Sequence, residues 1–317
     1  MTVSDEVGPM SAHPAVRTVS TGSTTSADHD AESRRLLTAL LQRPRYEVLA
    51  VPGTAEQVEA HVPGEIPITV TSSPRRGIEP TLALTEDLAR RGRPAVPHLA
   101  ARLITDESHV AEILQRLDDV GVTDVFVVSG DGEPVGHFTD SLQLLATIAS
   151  LRGSGGAGNL RRVGIAGYPE GHPLVSQPDL ERALVDKQSM AGYLVTQMCF
   201  DAAAVLRWVQ RVRRLGVRSP VYVGVAGPVD RLRLMRVGAR IGVGTSLRLL
   251  RKQHAGTTLL RKGGYRPDDL LGDLAASAGH LGDALVGVHV YTLGNVAATE
   301  QWRLELLERL AQDARHG

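Results

Sequence analysis

The chain has 317 residues, of which 42% are hydrophobic and 22% charged, a globular composition that excludes a disordered or fibrous protein. Arg plus Lys and Asp plus Glu both number 35, and this balance argues against nucleic-acid binding. No apolar run approaches the ~18 residues of a membrane span. The single cysteine, Cys199, excludes a disulfide framework and a thiolate metal site. The N-terminus lacks a basic segment followed by an apolar stretch, so we expect no signal peptide and a cytoplasmic protein.

The N-terminal segment differs in composition from the rest of the chain. Its first 30 residues contain ten Ser or Thr and no Leu, Ile, Phe, Tyr or Trp. Such a segment buries too little apolar surface to offset the entropy of ordering it. We therefore predict a disordered tail over residues 1–30. Order is expected to begin near Ala31, with a short amphipathic helix that stops at Pro44.

From this helix onward, strand-like and helical segments alternate. The strand-like runs are residues 46–52, 66–73, 95–103, 124–130, 161–169, 193–200, 220–227 and 286–294. Each is followed by helical sequence, and eight such units match a single (β/α)8 TIM barrel over residues 31–317, an α/β fold. The alternative is a doubly wound sheet, which expects a phosphate-binding glycine turn after its first strand. No such turn follows residues 46–52, so the barrel is favoured.

Two glycine-rich segments and one basic region invite other interpretations. Gly153, Gly155 and Gly158 fit G-x-G-x-x-G, but the segment follows a helix and precedes a strand, which predicts a loop rather than a dinucleotide site. Residues 242–246 could present backbone amides to an anion, a weak signal. Residues 201–262 carry 14 Arg or Lys and two acids, which suits either a solvated helical face or attraction of an anionic small molecule.

Three polar residues interrupt or end apolar strands and are candidates for chemistry. Glu47 lies within the first strand, where a buried carboxyl group would have a raised pKa and could donate a proton; alternatively it points outward and pairs with an arginine. Asp131 follows the fourth strand, a position where catalytic residues of barrels collect; alternatively it is a helix-cap or turn residue. Gln197 ends the sixth strand. Its amide could bind the edge of a heterocycle, since it can both donate and accept; alternatively it is a polar core residue whose hydrogen bonds are made within the protein.

The histidines and the cysteine give no metal or nucleophile signature. His98 and His172 also lie at strand ends, but none of the eleven histidines shows a ligand spacing such as H-E-x-x-H, so we predict no metal site. Cys199 is interpreted as a small buried hydrophobic residue, because no base or cation adjoins it in the sequence.

The strand-end motifs, taken in order, resemble those of the methylenetetrahydrofolate reductase family. The matching segments are YEV (46–48), PHL (97–99), GD (130–131), YPEGHP (168–173), TQ-x-x-FD (196–201) and YTLGN (291–295). The family is a (β/α)8 barrel that reduces the methylene bridge of 5,10-methylenetetrahydrofolate with electrons from a reduced nicotinamide.

The resemblance implies a role for each matching residue. Glu47 would be the acid that promotes ring opening to the 5-iminium cation, and Asp131 the carboxylate that stabilises this cation and binds the pterin. Gln197, Thr71 and Tyr291 would bind the folate. The residues that would meet the redox cofactor are His98, Tyr168, His172 and Lys187.

The departures from the family pattern concern FAD, which most members carry. The family's Arg before Gly-Asp is Ser129, its Tyr-Ala pair is Phe138-Thr139, and its Arg-Lys pair at the flavin diphosphate is Asp186-Lys187. The pattern looks like the actinobacterial branch that dispenses with flavin. We therefore expect NADH as co-substrate, reduced folate as substrate and no tightly bound FAD. The alternatives are an FAD-dependent member and a folate-binding paralogue without turnover; the oligomeric state stays open.

Overall fold

The structure, a computed structural model, describes residues 26–240 and 264–316, and within them eight parallel strands close into a barrel in the order β1 to β8. Each strand pairs in parallel with its neighbours, from β1–β2 around to β1–β8, with one register shift between β7 and β8 at Val221 and Tyr222. The predicted (β/α)8 fold is therefore confirmed. The strands are β1 (Arg45–Leu49), β2 (Ile68–Thr71), β3 (Ala95–Ala100), β4 (Asp124–Val128), β5 (Arg162–Gly167), β6 (Tyr193–Thr196), β7 (Val221–Ala226) and β8 (Leu285–Tyr291).

Helices surround the barrel and alternate with its strands. They are α1 (Ser26–Gln42), α2 (Thr54–His61), α3 (Glu79–Arg90), α4 (Glu107–Asp119), α5 (Ser141–Gly153), α6 (Gln177–Lys187), α7 (Ala202–Arg214), α8 (Arg231–Arg240), α9 (Asp268–Ser277) and α10 (Val296–His316). Helix α1 precedes the barrel and packs against α9, α10 and β8. It begins at Ser26, five residues before the expected boundary at Ala31, so residues 26–30 belong to a helix. The rest of the predicted tail, residues 1–25, lies outside the described residues.

Aspartates fix the start of several helices at the loops that follow the strands. Asp140 accepts hydrogen bonds from the backbone N–H groups of Leu142 and Gln143 at the start of α5. Asp201 accepts one from Ala204 at the start of α7. These carboxylates accept from backbone N–H groups that have no partner within the helix. Their negative charge is also stabilised by the positive end of the helix dipole. They therefore fix the rim of the barrel at the carboxyl ends of the strands.

Alternate residues of β1 face opposite sides of the sheet. Tyr46 faces outward, where its hydroxyl donates to the buried Glu300 of α10. Arg45 faces inward and spans the barrel: its Nη2 lies 3.0 Å from Asp124 Oδ2 of β4 and 2.8 Å from the Tyr193 hydroxyl of β6. The Tyr193 hydroxyl in turn donates to Asp124 Oδ1 at 2.9 Å. This closed polar triangle forms the floor of the barrel, at the amino ends of its strands.

The remaining segments singled out in the sequence lie only partly within the described residues. Gly153 is the last residue of α5, and Gly155 and Gly158 lie between α5 and β5, in the helix-to-strand loop that the sequence predicts. Residues 242–246 and the end of the basic region, residues 241–262, lie outside the described residues. Of the helices that the structure describes, none is sufficiently long and apolar to cross a membrane.

Candidate active site

Glu47 points into the barrel and meets two histidines there. Its Oε2 lies 3.2 Å from His289 Nε2 of β8 and 3.6 Å from His98 Nε2 of β3. Strand β3 is not a neighbour of β1, so the contact with His98 has to cross the barrel interior. The alternative in which Glu47 points outward toward an arginine is therefore wrong.

Burial sets the protonation of this cluster. It raises the pKa of the Glu47 carboxyl group, and the nearby His98 offsets part of that rise. Burial lowers the pKa of His98 to about 4, although the carboxyl group of Glu47 acts in the opposite direction. Burial and then the charge of Arg45 lower the pKa of His289 to about 3. Both imidazoles are consequently neutral at neutral pH, and the acid between them is stabilised in its protonated form.

The register places these groups in layers above the floor. Arg45 pairs with His289, and Glu47 with Tyr291, so His289 lies one layer closer to the floor than Glu47. The His289 side chain is 1% exposed and that of Glu47 16%. The carboxyl group is thus the more accessible partner, as a group that exchanges a proton with a bound molecule requires.

Asp131 lies on the exposed loop after β4, near the rim of the barrel. Its charge acts on two other predicted residues. Burial raises the pKa of Tyr168, and Asp131 raises it further. Burial lowers the pKa of His172, and Asp131 offsets part of that change. The rings of Tyr168 and His172 meet edge to face with centroids 5.2 Å apart. The structure thus brings Asp131, Tyr168 and His172 together, whereas His98 lies with Glu47 instead.

The YPEGHP and TQ-x-x-FD motifs are connected by Glu170. Its Oε1 accepts hydrogen bonds from the backbone N–H groups of Phe200, at 2.6 Å, and Asp201, at 2.9 Å. The carboxylate after β5 therefore fixes the backbone between β6 and α7. This contact explains why YPEGHP and TQ-x-x-FD occur together: the first motif supplies the acceptor and the second supplies the donors.

The residues predicted to bind folate are positioned by local hydrogen bonds. Gln197 follows β6, and its Oε1 accepts from the backbone N–H of Met198 at 2.9 Å. The Tyr291 hydroxyl donates to the Thr196 carbonyl at 3.0 Å, and this hydrogen bond links β8 to β6. Thr71 ends β2, and its hydroxyl makes a 3.4 Å contact with the Ser72 carbonyl.

Lys187 belongs to a separate polar group beside β4 and α5. Its Nζ donates to Ser141 Oγ at 3.2 Å, and Ser129 Oγ lies 3.3 Å from the same hydroxyl oxygen. Burial lowers the pKa of Lys187, while the charges of Asp140 and Asp186 act to raise it. The ammonium group is therefore held inside the protein's own network and faces two carboxylates.

Sequence reasoning missed two residues of this site, His289 and Glu170. His289 was readable as a polar residue within the apolar run of β8, two positions before Tyr291 and so on the same face of the strand. Glu170 lies within the YPEGHP motif, but the backbone groups that it binds are 30 and 31 residues away. A single sequence does not specify such a pairing.

The fold and the site together define a (β/α)8 barrel with a buried acid at its centre and polar groups at the carboxyl ends of its strands. A family model described as methylenetetrahydrofolate reductase matches residues 54–242, more than half of the chain. The chain therefore belongs to the methylenetetrahydrofolate reductase family. Glu47, His289 and Tyr291 lie outside the matched range, so their place in the site rests on the barrel geometry.

Three curated proteins show the extent of the similarity. The chain is 28% identical over 116 residues to "Probable methylenetetrahydrofolate reductase (NADPH)" of Caenorhabditis elegans, a match over 35% of this chain and 17% of that protein. It is 32% identical over 65 residues to "Methylenetetrahydrofolate reductase 1" of Schizosaccharomyces pombe and 33% over 67 residues to "Methylenetetrahydrofolate reductase 2" of Saccharomyces cerevisiae. Each of the latter matches covers 20% of this chain and 11% of the relative. The chain thus spans less than a fifth of the length of these relatives.

Proposed function

We propose that this protein reduces 5,10-methylenetetrahydrofolate to 5-methyltetrahydrofolate with NADH, by direct hydride transfer. The observation that carries the proposal is the Glu47 carboxyl group, held inside a barrel of this family between two neutral imidazoles. The opening of the methylene bridge requires an acid, and burial raises the pKa of the Glu47 carboxyl group in the direction that favours its protonated form.

The first step assigned to the chain is proton donation. Glu47 gives its proton to N10 of the folate as the bond from N10 to the bridging carbon breaks, which leaves an iminium cation at N5. Solvent restores the proton of Glu47 after turnover.

The second step is stabilisation of the cation and orientation of the pterin. Asp131 supplies a negative charge at the rim, close enough to act on Tyr168 and His172, and this charge would stabilise the developing cation. The amide oxygen of Gln197 accepts from the Met198 backbone, and among the described residues no hydrogen bond is made by its NH₂ group, which would donate to the acceptors at the edge of a pterin.

The third step transfers hydride from C4 of the nicotinamide to the iminium carbon, which becomes the N5-methyl group, and NAD⁺ is released. Both molecules have to be bound at once, with the reacting atoms ~3–3.5 Å apart. The choice of NADH follows from the resemblance to the flavin-free branch of the family.

We infer further that FAD is not held tightly, because the residues at the positions that resemblance assigns to the flavin do not suit its diphosphate. Lys187 donates to Ser141 and faces Asp140 and Asp186, and an added anion would meet those carboxylates. Ser129 offers a hydroxyl, already bound to Ser141, where the family has a guanidinium group. These contacts support a site shared by folate and nicotinamide alone.

The test is NADH oxidation that depends on added methylenetetrahydrofolate, with initial rates measured while both substrates are varied, with and without FAD. We expect a colourless protein, converging line patterns and no response to FAD. Parallel lines, a yellow protein or activity restored by FAD would establish the flavin mechanism in its place. Folate binding without NADH oxidation would instead make the protein a non-catalytic binder.

A further inference from the structure

The contacts of the Glu47 carboxyl group are asymmetric. Both imidazole nitrogens converge on Oε2, at 3.2 Å from His289 and 3.6 Å from His98. Only the shorter of these contacts is a hydrogen bond. Among the described residues, no hydrogen bond reaches Oε1. One carboxyl oxygen is thus anchored to the protein, and the other is left for a bound molecule.

We propose that His289 is a positioning residue for Glu47: its Nε2–H donates to Oε2 and thereby places the acidic proton on Oε1, facing the folate N10. This inference rests on the proposed function, since it assigns the proton geometry of the same site. It concerns a residue of β8 that touches Glu47 rather than the substrate.

The tautomer follows from the surroundings of the imidazole. His289 Nδ1 is buried and has no hydrogen-bond partner among the described residues. A proton on Nδ1 would leave a donor buried without an acceptor, and Nε2 would then have to accept from Oε2, which would tie up the acidic proton. With the proton on Nε2 the hydrogen bond to Oε2 is made, and only a lone pair stays unsatisfied.

The floor of the barrel supports the same arrangement. Arg45 pairs in register with His289 and carries a buried positive charge beneath it. A second positive charge on the imidazole would be repelled, so Arg45 helps to hold His289 neutral. Four ionisable groups within the described part of the chain surround Glu47. They are His98 from β3, Tyr291 and His289 from β8, and Arg45 from β1 itself.

The kinetic test compares two substitutions of His289. His289→Gln keeps an N–H donor near the Nε2 position, and His289→Leu fills the space without a donor. We expect His289→Leu to lower kcat about 10- to 100-fold with little change in folate KM, because a misplaced catalytic group loses rate rather than binding. His289→Gln should restore most of the lost kcat.

The pH profile separates positioning from a merely structural effect. Acid catalysis by Glu47 makes kcat fall as pH rises through the pKa of its carboxyl group. The Nε2–H donor stabilises the ionised carboxylate, so its loss in His289→Leu should move this fall to higher pH. Thr69→Val is the matched interior control, since the Thr69 hydroxyl is buried next to β1 and has no partner among the described residues. It should keep kcat within about a factor of three and leave the pH profile in place.

A measurement that needs no activity completes the test. Nitrogen-15 spectra of histidine-labelled protein, with the His289 signals assigned by comparison with His289→Gln, should show a neutral ring protonated on Nε2 from pH 5 to 8. A ring protonated on Nδ1, or one that titrates in this range, would overturn the proposal. So would an active wild-type enzyme whose kcat and pH profile are unchanged in His289→Leu. A wild-type protein without turnover would instead count against the proposed function, while the spectra still decide the tautomer.

Discussion

Replacement of His289 by glutamine should make the protein less sensitive to acid. The pKa of His289 is lowered from 6.5 to about 3 in the folded state, so the unfolded chain binds a proton more readily than the folded chain between these values. Stability therefore falls as pH falls through 6.5 toward 3. The His289→Gln variant lacks this contribution.

The size of the effect follows from the two pKa values. At pH 5 the unfolded imidazole lies 1.5 pH units below its pKa of 6.5 and the folded imidazole is still neutral. At 1.36 kcal/mol per unit, wild type loses ~2 kcal/mol from this residue between pH 8 and pH 5. This is a large part of the ~5–15 kcal/mol by which folded domains are usually stable.

Urea unfolding followed by circular dichroism at several pH values between 8 and 5 measures the effect. The free energy of unfolding should fall by ~2 kcal/mol less in His289→Gln than in wild type over this interval. His61→Gln, at the exposed end of α2, is the matched control and should follow the wild-type pH dependence. Parallel curves for wild type and His289→Gln would show that the buried imidazole is not held neutral, and the description of the Glu47 cluster would fail.

Three further predictions concern the site and the barrel. Glu47→Gln should retain folate binding, measured by titration, and lose about 10²- to 10⁴-fold in kcat; retention of more than about a third of kcat would remove Glu47 from the mechanism. Asp131→Asn should lower kcat about 10-fold or more and also weaken folate binding, whereas an unchanged kcat/KM would make Asp131 a turn residue only. Gly164→Ala should destabilise the barrel by about 1–3 kcal/mol in urea unfolding, because the added methyl group would lie 2.3 Å from the Tyr193 ring. Gly272→Ala in α9, where nothing lies within 4 Å, is its control and should not destabilise; equal effects of the two changes would refute the packing argument.

The barrel was predictable because its signals are local. Each strand is a short apolar run followed by a helical pattern, and eight repeats of this unit fix the class of fold. The start of α1 was not predictable from the same signals, because four of residues 26–30 are polar and the fifth, Ala27, is small. They become helical as the first turns of a helix whose apolar residues, such as Leu37 and Leu40, are buried.

Individual positions in the site were predictable from strand parity, but their partners were not. Glu47 reads as an unusual acid in an apolar strand, and the parity of β1 puts it on the same face as Arg45. His289 becomes its partner only because β8 closes against β1, and His98 approaches across the interior from β3. These contacts join residues 242 and 51 positions away in the sequence, so they depend on closure of the whole barrel.

The floor shows why the acid and the two histidines have to be considered together. A carboxylate at Glu47 would be attracted by Arg45, which by itself would favour the ionised form. Arg45, however, is bound by Asp124 and Tyr193 at the amino ends of the strands, and its guanidinium group lies 4.4 Å over the Tyr193 ring. Much of its charge is therefore compensated within the floor, and burial rather than Arg45 dominates the pKa of Glu47. A substitution of Asp124 would leave the charge of Arg45 less compensated. That charge should then favour the ionised carboxylate of Glu47 and weaken its proton donation, although Asp124 does not contact the substrate.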